Sequence, residues 1–221
     1  MRLDLDHLLY AGPDLGRLTR EVARTCGEAP TPGGRHVGYG TRNALIGLGP
    51  GAYLEAIAPD PDQDGGAFAD AIAGLRSSEL HAWCVRTDDP DALASRIEAS
   101  GHAVSRRAMS RAAPDGGEVA WELLFAGGHD WAGAAPFFIA WGDTPHPSER
   151  LGVTTRLRHL ATMHPDADGL ERWLAELGLT VGPAATVRVE RARARALRAD
   201  LTGRRGPFAL RGGGGGMRME R

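Results

Sequence analysis

The sequence contains no lysine, and all 26 of its basic residues are arginine. A Schiff base to pyridoxal phosphate or to an aldolase substrate needs a lysine amine, so both chemistries are excluded. The Gly-Lys-Ser/Thr phosphate loop of nucleotide hydrolases is excluded for the same reason. Any activity must therefore rest on other side chains.

Cysteines and long apolar segments are also scarce. Cys26 and Cys84 are far apart in the chain, which favours a reduced cytoplasmic protein over a disulfide framework or a cysteine-rich zinc site. The longest apolar run, Pro136–Trp141, is far shorter than the ~20 residues that span a bilayer. The first residues carry two aspartates and no sustained apolar stretch, which predicts no signal peptide. We therefore expect neither membrane insertion nor secretion.

Three segments of the chain share one pattern, and they start at His7, His81 and His159. In each, an aspartate follows the histidine by seven residues, a leucine follows by 11 or 12, and a glycine by 19 or 20. This order predicts a strand that carries the histidine, an aspartate that caps an amphipathic helix, and a glycine that ends it. Strand-like stretches punctuated by glycine follow each helix. The predicted unit is one strand, one helix and about three strands, repeated three times.

Four stretches, together with this repeat, resemble the vicinal oxygen chelate superfamily and closely its glyoxalase-like branch. They are LDHLLYAGPDL (5–15), GGRHVGYGTRNALIGLGPGAYLEAIAPD (33–60), ELHAWCVRTDD (79–89) and GGHDWAGAAPFFIAWGDTPHPS (127–148). The resemblance implies an α+β fold of tandem βαβββ modules whose curved sheets enclose a cup. It also implies that in many members the cup holds a divalent metal that chelates two neighbouring substrate oxygens.

The domain organisation follows from the repeat. Modules at about 1–62 and 78–148 are expected to pair over residues 1–150 and form the cup. Residues 151–211 are expected to form a third, accessory βαβββ-like module, and residues 212–221 a flexible tail. The third sheet has an apolar face that must be covered, either by the back of the cup or by a second copy. We favour the second copy, which makes the protein a homodimer.

The resemblance places metal ligands on the first and last strand of each module. His7 and Glu55 match in the first module and His81 in the second, whereas the fourth position falls in Phe137–Trp141, which offers no ligand for a hard cation. Two imidazoles and one carboxylate with open positions suit Fe, Mn, Zn or Ni. A site without metal remains an alternative, because a histidine on a strand is often a hydrogen-bonded residue of the core. Glu55 is likewise explained by a bridge to Arg35 or Arg42.

Strand alternation assigns these residues to faces. It puts His7 on the face opposite Asp6, and His81 on the same face as Trp83. Two further residues, His36 and Glu122, are catalytic candidates. The alternative for His36 is a place in a solvent-facing turn, and the alternative for Glu122 is an outward position on the surface. The expected ligand-binding residues, some of which core packing would also explain, are Asn43, Tyr53, Trp83, Phe137, Ile139 and Trp141.

The sequence therefore predicts a metal-dependent lyase, isomerase or dioxygenase that acts on a small oxygen-bearing substrate in the cup. The alternative is a metal-free protein of the resistance type that binds and sequesters a small molecule. A basic segment at 188–211 has eight arginines against two acidic residues. It lacks a recognition motif and interleaved aromatic residues, so we expect it to pair with acidic groups of the protein rather than with nucleic acid.

Overall fold

The structure is a computed structural model that describes residues 1–112 and 118–216. The first module contains β1 (Leu3–Ala11), α1 (Leu15–Cys26), β2 (Thr31–His36), β3 (Thr41–Gly49) and β4 (Ala52–Pro59). A short helix, α2 (Ala67–Ala73), leads to β5 (Glu79–Thr87), α3 (Pro90–Ala99), β6 (Ala103–Ala112), β7 (Glu118–Gly127) and β8 (Phe137–Ala140) of the second module. The third contains β9 (Arg156–His164), α4 (Ala167–Leu177), β10 (Val187–Arg191), β11 (Ala196–Gly203) and β12 (Gly206–Gly212).

These elements confirm the α+β class and the repeated unit of one strand, one helix and three strands. Both β2 and β6 are edge strands that the sequence pattern does not predict. The first contains Pro32, Gly33 and Gly34, residues that are depleted in strands. None of the helices in the described residues has the length and apolar character that a bilayer crossing needs.

The first two modules share one eight-stranded sheet with the order β2-β3-β4-β1-β5-β8-β7-β6. In each module the first strand is parallel to the last, β1 to β4 and β5 to β8. The two modules meet where β1 pairs antiparallel with β5, which relates them by an approximate twofold rotation. The sheet curls until edge strand β2 contacts edge strand β6. The concave side of this curl is the cup.

The third module has the expected element order but a different strand connection. Its sheet has the order β10-β9-β11-β12. The first strand, β9, is parallel to the strand directly after the helix, β10, and antiparallel to β11. The module is therefore a βαβ unit with an added hairpin, and it does not repeat the pairing of the first two modules.

The repeated aspartates mark the starts of the helices to within one residue. The side chains of Asp14 and Asp166 accept hydrogen bonds from backbone N–H groups in the first turns of α1 and α4. In α3 the capping residue is Asp89, one position after the repeated Asp88. Asp88 instead accepts a hydrogen bond from the backbone N–H of Arg2. An N-cap that satisfies free N–H groups is worth about 1 kcal/mol.

The third module packs against the outer side of the curled sheet within the same chain. Leu8 of β1 and Trp83 of β5 lie in one buried apolar cluster with Leu160 of β9 and Trp173 of α4. The apolar face that the sequence assigns to a homodimer is therefore covered in cis. The expectation of a second copy rested on an exposed apolar face of the third sheet. That premise is wrong, because the shared core already removes this face from water.

Residues 212–216 also differ from the expected flexible tail, because they pack against the second module. The backbone N–H of Gly216 donates to the carbonyl oxygen of His81 over 3.0 Å. A Cβ at Gly212 would lie 2.0 Å from the carbonyl oxygen of Leu80, so glycine is required there. We call residues 212–216 the glycine strap. The remainder of the expected tail, residues 217–221, lies outside the described residues.

The shared core predicts that the three modules unfold together. Leu160→Ala is expected to lower the free energy of unfolding by about 2–5 kcal/mol, since Leu160 is fully buried between the sheets. Denaturant unfolding followed by circular dichroism should remain a single transition. The matched control is Val153→Ala at a position that is 42% exposed, with an expected change within about 0.5 kcal/mol. Two separate transitions would contradict a common core.

Candidate functional site

A cavity of about 260 Å³, here called the first cavity, lies inside the cup. Its wall is mainly apolar and aromatic, and its polar residues include His7, His36 and Glu55. Two strands of the first module and β8 of the second contribute most of the residues that the sequence assigned to ligand binding. Five of these six residues line the cavity: Asn43, Tyr53, Phe137, Ile139 and Trp141.

Two β-bulges decide which side chains of the central strands reach the cup. The ladder between β1 and β5 skips Asp6 on β1 and His81 on β5. A bulge adds one residue without a partner and interrupts the alternation of faces. Asp6 was expected on the face opposite His7, but the bulge brings its carboxylate against the His7 ring.

Asp6 is fully buried and joins side chains from three separate parts of the chain. Its Oδ1 lies 2.6 Å from Nδ1 of His7. Its Oδ2 accepts a hydrogen bond from Nε1 of Trp141 over 3.0 Å and lies 2.9 Å from Nε2 of His146. Burial alone would raise the pKa of Asp6, but the hydrogen bonds from His146 and His7 together hold that pKa below its ordinary value. Asp6 is therefore an anion at neutral pH, and Nδ1 of His7 carries the proton between them.

The other ring nitrogen of His7 faces Glu55. Nε2 of His7 lies 3.5 Å from Oε2 of Glu55. Because the His7 proton is on Nδ1, a neutral ring presents a lone pair to a carboxylate that also offers only lone pairs. A proton or a cation between the two atoms makes this arrangement favourable. Tyr53 stacks on the imidazole at a centroid distance of 4.7 Å, and Phe137 meets its edge, so the ring is held in place.

Polar groups from β2 and β3 orient Glu55. Nδ2 of Asn43 donates to Oε1 of Glu55 over 2.6 Å, and Nε2 of His36 lies 3.8 Å from the same oxygen. The backbone N–H of Gly34 donates to Oδ1 of Asn43 over 2.8 Å. A Cβ at Gly33 would lie 2.0 Å from that amide oxygen, so the paired glycines of β2 make room for the Asn43 side chain.

The sequence suggests Arg35 and Arg42 as partners of Glu55, but neither of them pairs with it. Arg35 forms an ion pair with Asp60, with Nε 2.5 Å from Oδ2, and Arg42 lines a groove beside α1. Glu55 is only 7% exposed. In the described part of the chain, its carboxylate therefore faces the rings of His7 and His36 and the amide of Asn43 rather than an arginine. A buried carboxylate in this setting is stabilised by a protonated imidazole or by a bound cation.

Three residues expected in the site lie elsewhere. His81 borders a separate cavity, with Nδ1 3.0 Å from Oε1 of Glu79, because the bulge displaces it along β5. It does not converge with His7 and Glu55. Trp83 is buried in the outer core, on the helix side of β5. Glu122 faces outward and pairs with Arg106, whose Nε lies 2.7 Å away, because its neighbours on β7 occupy the inner face.

Several side chains of the site are not predicted from the sequence. Strand alternation places Asp6 on the face opposite His7. The sequence around His146 indicates only a loop that leaves the second module. Trp121 lines the first cavity, and its ring lies 6.1 Å from that of His36. The sequence does contain a signal for Trp121, because it lies two residues before Leu123 and therefore on the same face of β7. Leu123 also lines the cavity.

Asp6, His7 and Cys84 form the one group of three potential ligands in the described residues whose ligand atoms all lie within 4.8 Å of one another. Burial raises the pKa of the Cys84 thiol well above its ordinary value, and the charges of Asp6 and Glu55 act in the same direction. The sulfur is therefore protonated, and both oxygens of Asp6 are already hydrogen-bonded. Nε2 of His7 and the carboxylate of Glu55 are therefore better ligands for a cation than this buried group.

Comparison with known proteins assigns the family. The profile described as a glyoxalase-like domain matches residues 5–178. The chain belongs to this glyoxalase-like family. The resemblance to the vicinal oxygen chelate superfamily is thereby confirmed. No curated protein matches the sequence.

Solved structures show that this glyoxalase-like protein shares its fold with a hypothetical protein from Staphylococcus aureus. The TM-score is 0.63 at 17% sequence identity, over 95% of this chain and 85% of the other. A mutant of 4-hydroxymandelate synthase from Streptomyces coelicolor gives a TM-score of 0.48 at 11% identity, over 94% of this chain and 62% of that chain. Methylmalonyl-CoA epimerase from Mycobacterium tuberculosis gives 0.43 at 19% identity, over 64% and 88%.

The Asp6 network predicts a large loss of stability on neutralising this carboxylate. Asp6→Asn is expected to lower the free energy of unfolding at neutral pH by about 3–5 kcal/mol, because the amide cannot accept from His7, His146 and Trp141 together. Asp4→Asn is the matched control, since Asp4 is partly exposed and its ion pairs with Arg2 and Arg86 are worth at most about 1 kcal/mol each. Chemical denaturation measures both changes.

The same variant tests the sign of the Asp6 pKa shift. The pKa of Asp6 is lower in the folded protein than in the unfolded chain, so its contribution is complete above the unfolded value of 3.8 and is lost as the pH falls below it. The stability difference between the wild type and Asp6→Asn should therefore shrink in acid. A difference that is independent of pH would contradict an ionised Asp6.

Proposed function

We propose that the protein is a metal-dependent enzyme of the lyase or isomerase type that binds a small substrate through two neighbouring oxygens in the first cavity. The observation that carries this proposal is the approach of Nε2 of His7 to Oε2 of Glu55, at 3.5 Å on the cavity wall. A proton or a cation between the two atoms would make this contact favourable, and we assign the cation, because neither Arg35 nor Arg42 pairs with the carboxylate.

The spacing of these two atoms fits a common divalent ion. Two ligand atoms about 2.1 Å from one metal at a tetrahedral angle lie about 3.4 Å apart. Asp6 accepts a hydrogen bond from Nδ1–H of His7, as carboxylates commonly do behind a metal-bound histidine. Asn43 orients Glu55 in the same way. Two protein ligands leave coordination positions open for a substrate that binds through two oxygens.

The residues around this pair suit proton transfer next to a carbonyl group. A bound metal would polarise the carbonyl and stabilise the negative charge that develops on its oxygen. We assign His36 the role of proton acceptor and donor, because its ring borders the same cavity with Nε2 3.8 Å from Glu55. An imidazole titrates near neutral pH and suits that role. Phe137, Ile139 and Trp141 exclude water from the reacting carbon.

A metal-free protein that binds and sequesters a small aromatic molecule is the second candidate. The aromatic wall formed by Tyr53, Trp121, Phe137 and Trp141 favours it, because such a wall binds flat apolar ligands without a metal. In that case His7 and Asp6 serve only to hold the wall together. Metal removal separates the two candidates.

Metal binding at His7 and Glu55 is the test of the proposed function. Protein without a histidine tag is stripped with a chelator and titrated with Mn(II), Fe(II), Zn(II) and Ni(II) in a calorimeter. We expect one ion per chain for at least one metal, and a loss of affinity of at least about tenfold in His7→Gln and Glu55→Gln. Affinity should fall in acid, because a ligating imidazole must be deprotonated.

His81→Gln is the matched variant, because it removes the histidine that the sequence assigned to the metal and that lies outside the first cavity. It is expected to keep the metal affinity of the wild type. An equal loss in His81→Gln would mean that the three residues converge after all. A wild type that binds no metal, but binds aromatic ligands with or without chelator, would favour the sequestering protein.

A further inference from the structure

A groove of about 480 Å³ lies on the outer side of the first module, between α1 and the hairpin of β2 and β3. We call it the helix groove. Its charged residues are Arg20 of α1 and Arg42 of β3, and the described residues of its wall include no acidic and no aromatic side chain. The apolar part of the wall is aliphatic and comes mainly from Leu15, Ala23, Pro30, Pro32 and Ala44. The groove therefore combines positive charge with an aliphatic surface.

Arg42 faces this groove because it lies on the outer side of β3. The next residue, Asn43, directs its side chain into the cup toward Glu55, and successive side chains of a strand point to opposite faces. Arg35 of β2 stands directly across the ladder from Arg42. Like charges in such positions repel each other, and Arg35 is neutralised by Asp60. Arg42 forms no ion pair with any residue that the structure describes, so its charge is not balanced.

The guanidinium group of Arg42 has donors that are not used. Its Nε is enclosed and has no hydrogen-bond partner among the described residues. The two Nη nitrogens have no partner in the described part of the chain either, but they are not enclosed, because the side chain is partly exposed. A charged group beside an apolar wall is costly unless its donors are satisfied. An incoming acceptor therefore meets the Nη nitrogens, whereas Nε stays covered.

Arg20 brings a second guanidinium group to the same groove. A Cβ at Gly16 would lie 3.5 Å from Nη1 of Arg20, so this side chain folds back over the first turn of α1. Asp14 lies near the same point, but its carboxylate caps the helix by accepting from the backbone N–H of Arg17 over 2.6 Å. Asp14 is not part of the wall. The described wall therefore holds two positive charges and no negative one.

We propose that the helix groove binds a small aliphatic carboxylate. The carboxylate accepts hydrogen bonds from the Nη nitrogens of Arg42, Arg20 adds a second positive charge, and the alkyl chain packs against the aliphatic wall. Arginine suits a carboxylate because its planar group offers two parallel donors. An apolar wall with a few polar groups that fix the orientation is the usual form of a ligand site. This site lies on the opposite face of β3 from the proposed metal site and does not depend on it.

Nuclear magnetic resonance with hexanoate as the probe tests the proposal. The arginine Nε–H signals of the chain, labelled with nitrogen-15, are followed during the titration and assigned with single arginine variants. The protein is first stripped with a chelator, so that the carboxylate cannot bind through a metal in the first cavity. We expect the Arg42 signal to shift and to saturate with hexanoate and to stay in place with 1-hexanol, which lacks the charge.

Two results of this titration would overturn the proposal. One is the absence of a saturable shift at Arg42, whatever happens to signals near the first cavity. The other is an equal affinity for inorganic phosphate, which would mean that the groove recognises charge alone and that its aliphatic wall has no role.

A matched pair of variants then tests the contact. Arg42→Gln removes the charge and the Nη donors, and the hexanoate affinity is expected to fall at least about tenfold, as for a lost hydrogen bond between charged groups. Arg17→Gln is the control, because it removes the same charge from an exposed position of α1 outside the groove wall. Its affinity should equal that of the wild type. Equal losses in both variants would indicate only a general effect of charge and would overturn the proposal.

Arg20→Gln keeps the test decisive if Arg42→Gln does not fold. Arg20 is exposed, so its replacement leaves the core intact, and the hexanoate affinity should fall about threefold, as for one exposed charge pair. An unchanged affinity in this variant would overturn the assigned site. Metal binding at the first cavity should be the same in all of these proteins, which keeps this test independent of the proposed function.

Discussion

The antiparallel pairing of β1 with β5 is the interaction on which the rest of the structure depends. It joins two four-stranded halves into one curled sheet, so the cup exists only because this ladder forms. Its two bulges also select the side chains that enter the cup. The bulge at Asp6 brings a carboxylate under His7, and the bulge at His81 moves that histidine to a separate cavity. One ladder therefore determines both the fold and the asymmetry of the site.

Asp6 couples the site to the fold. Its carboxylate receives contacts from β1 itself, from Trp141 after β8, and from His146 in the segment that leaves the second module. A buried carboxylate is costly unless its lone pairs are satisfied, and here several donors converge on it. The same contacts that keep Asp6 charged hold the orientation of His7. The stability of the fold and the geometry of the candidate site therefore depend on one network, so its members cannot be varied independently.

The sequence predicts those parts of the molecule that depend on local patterns. The histidine, aspartate and glycine spacing locates α1, α3 and α4, because capping and helix periodicity involve residues close in the chain. His7 and Glu55 follow from the family resemblance, Asn43 follows from its polar character in an apolar strand, and both sets prove to share one cavity with most of the predicted aromatic wall. The bulges do not follow, because strict alternation assumes an uninterrupted ladder, and a one-residue shift moves a side chain to the other face. The different pairing of the third module and the packed strap are likewise long-range features that local patterns do not contain.

The two halves of the cup illustrate how a repeated fold loses its symmetry. The twofold relation of the modules would generate two equivalent sites, one with His7 and one with His81. In the first half, β4 supplies Glu55, and β3 supplies Asn43 to orient it. In the second half, β8 carries only apolar residues, and the glycine strap closes against His81. The carboxylate beside His81 is that of Glu79 on the same strand, 3.0 Å from its Nδ1, and the pair borders a separate cavity rather than forming a second centre like that of His7 and Glu55. The polar cluster of His7, Glu55 and Asn43 therefore lies in the first module, while the second module contributes Phe137 and Ile139 to the apolar wall of the first cavity.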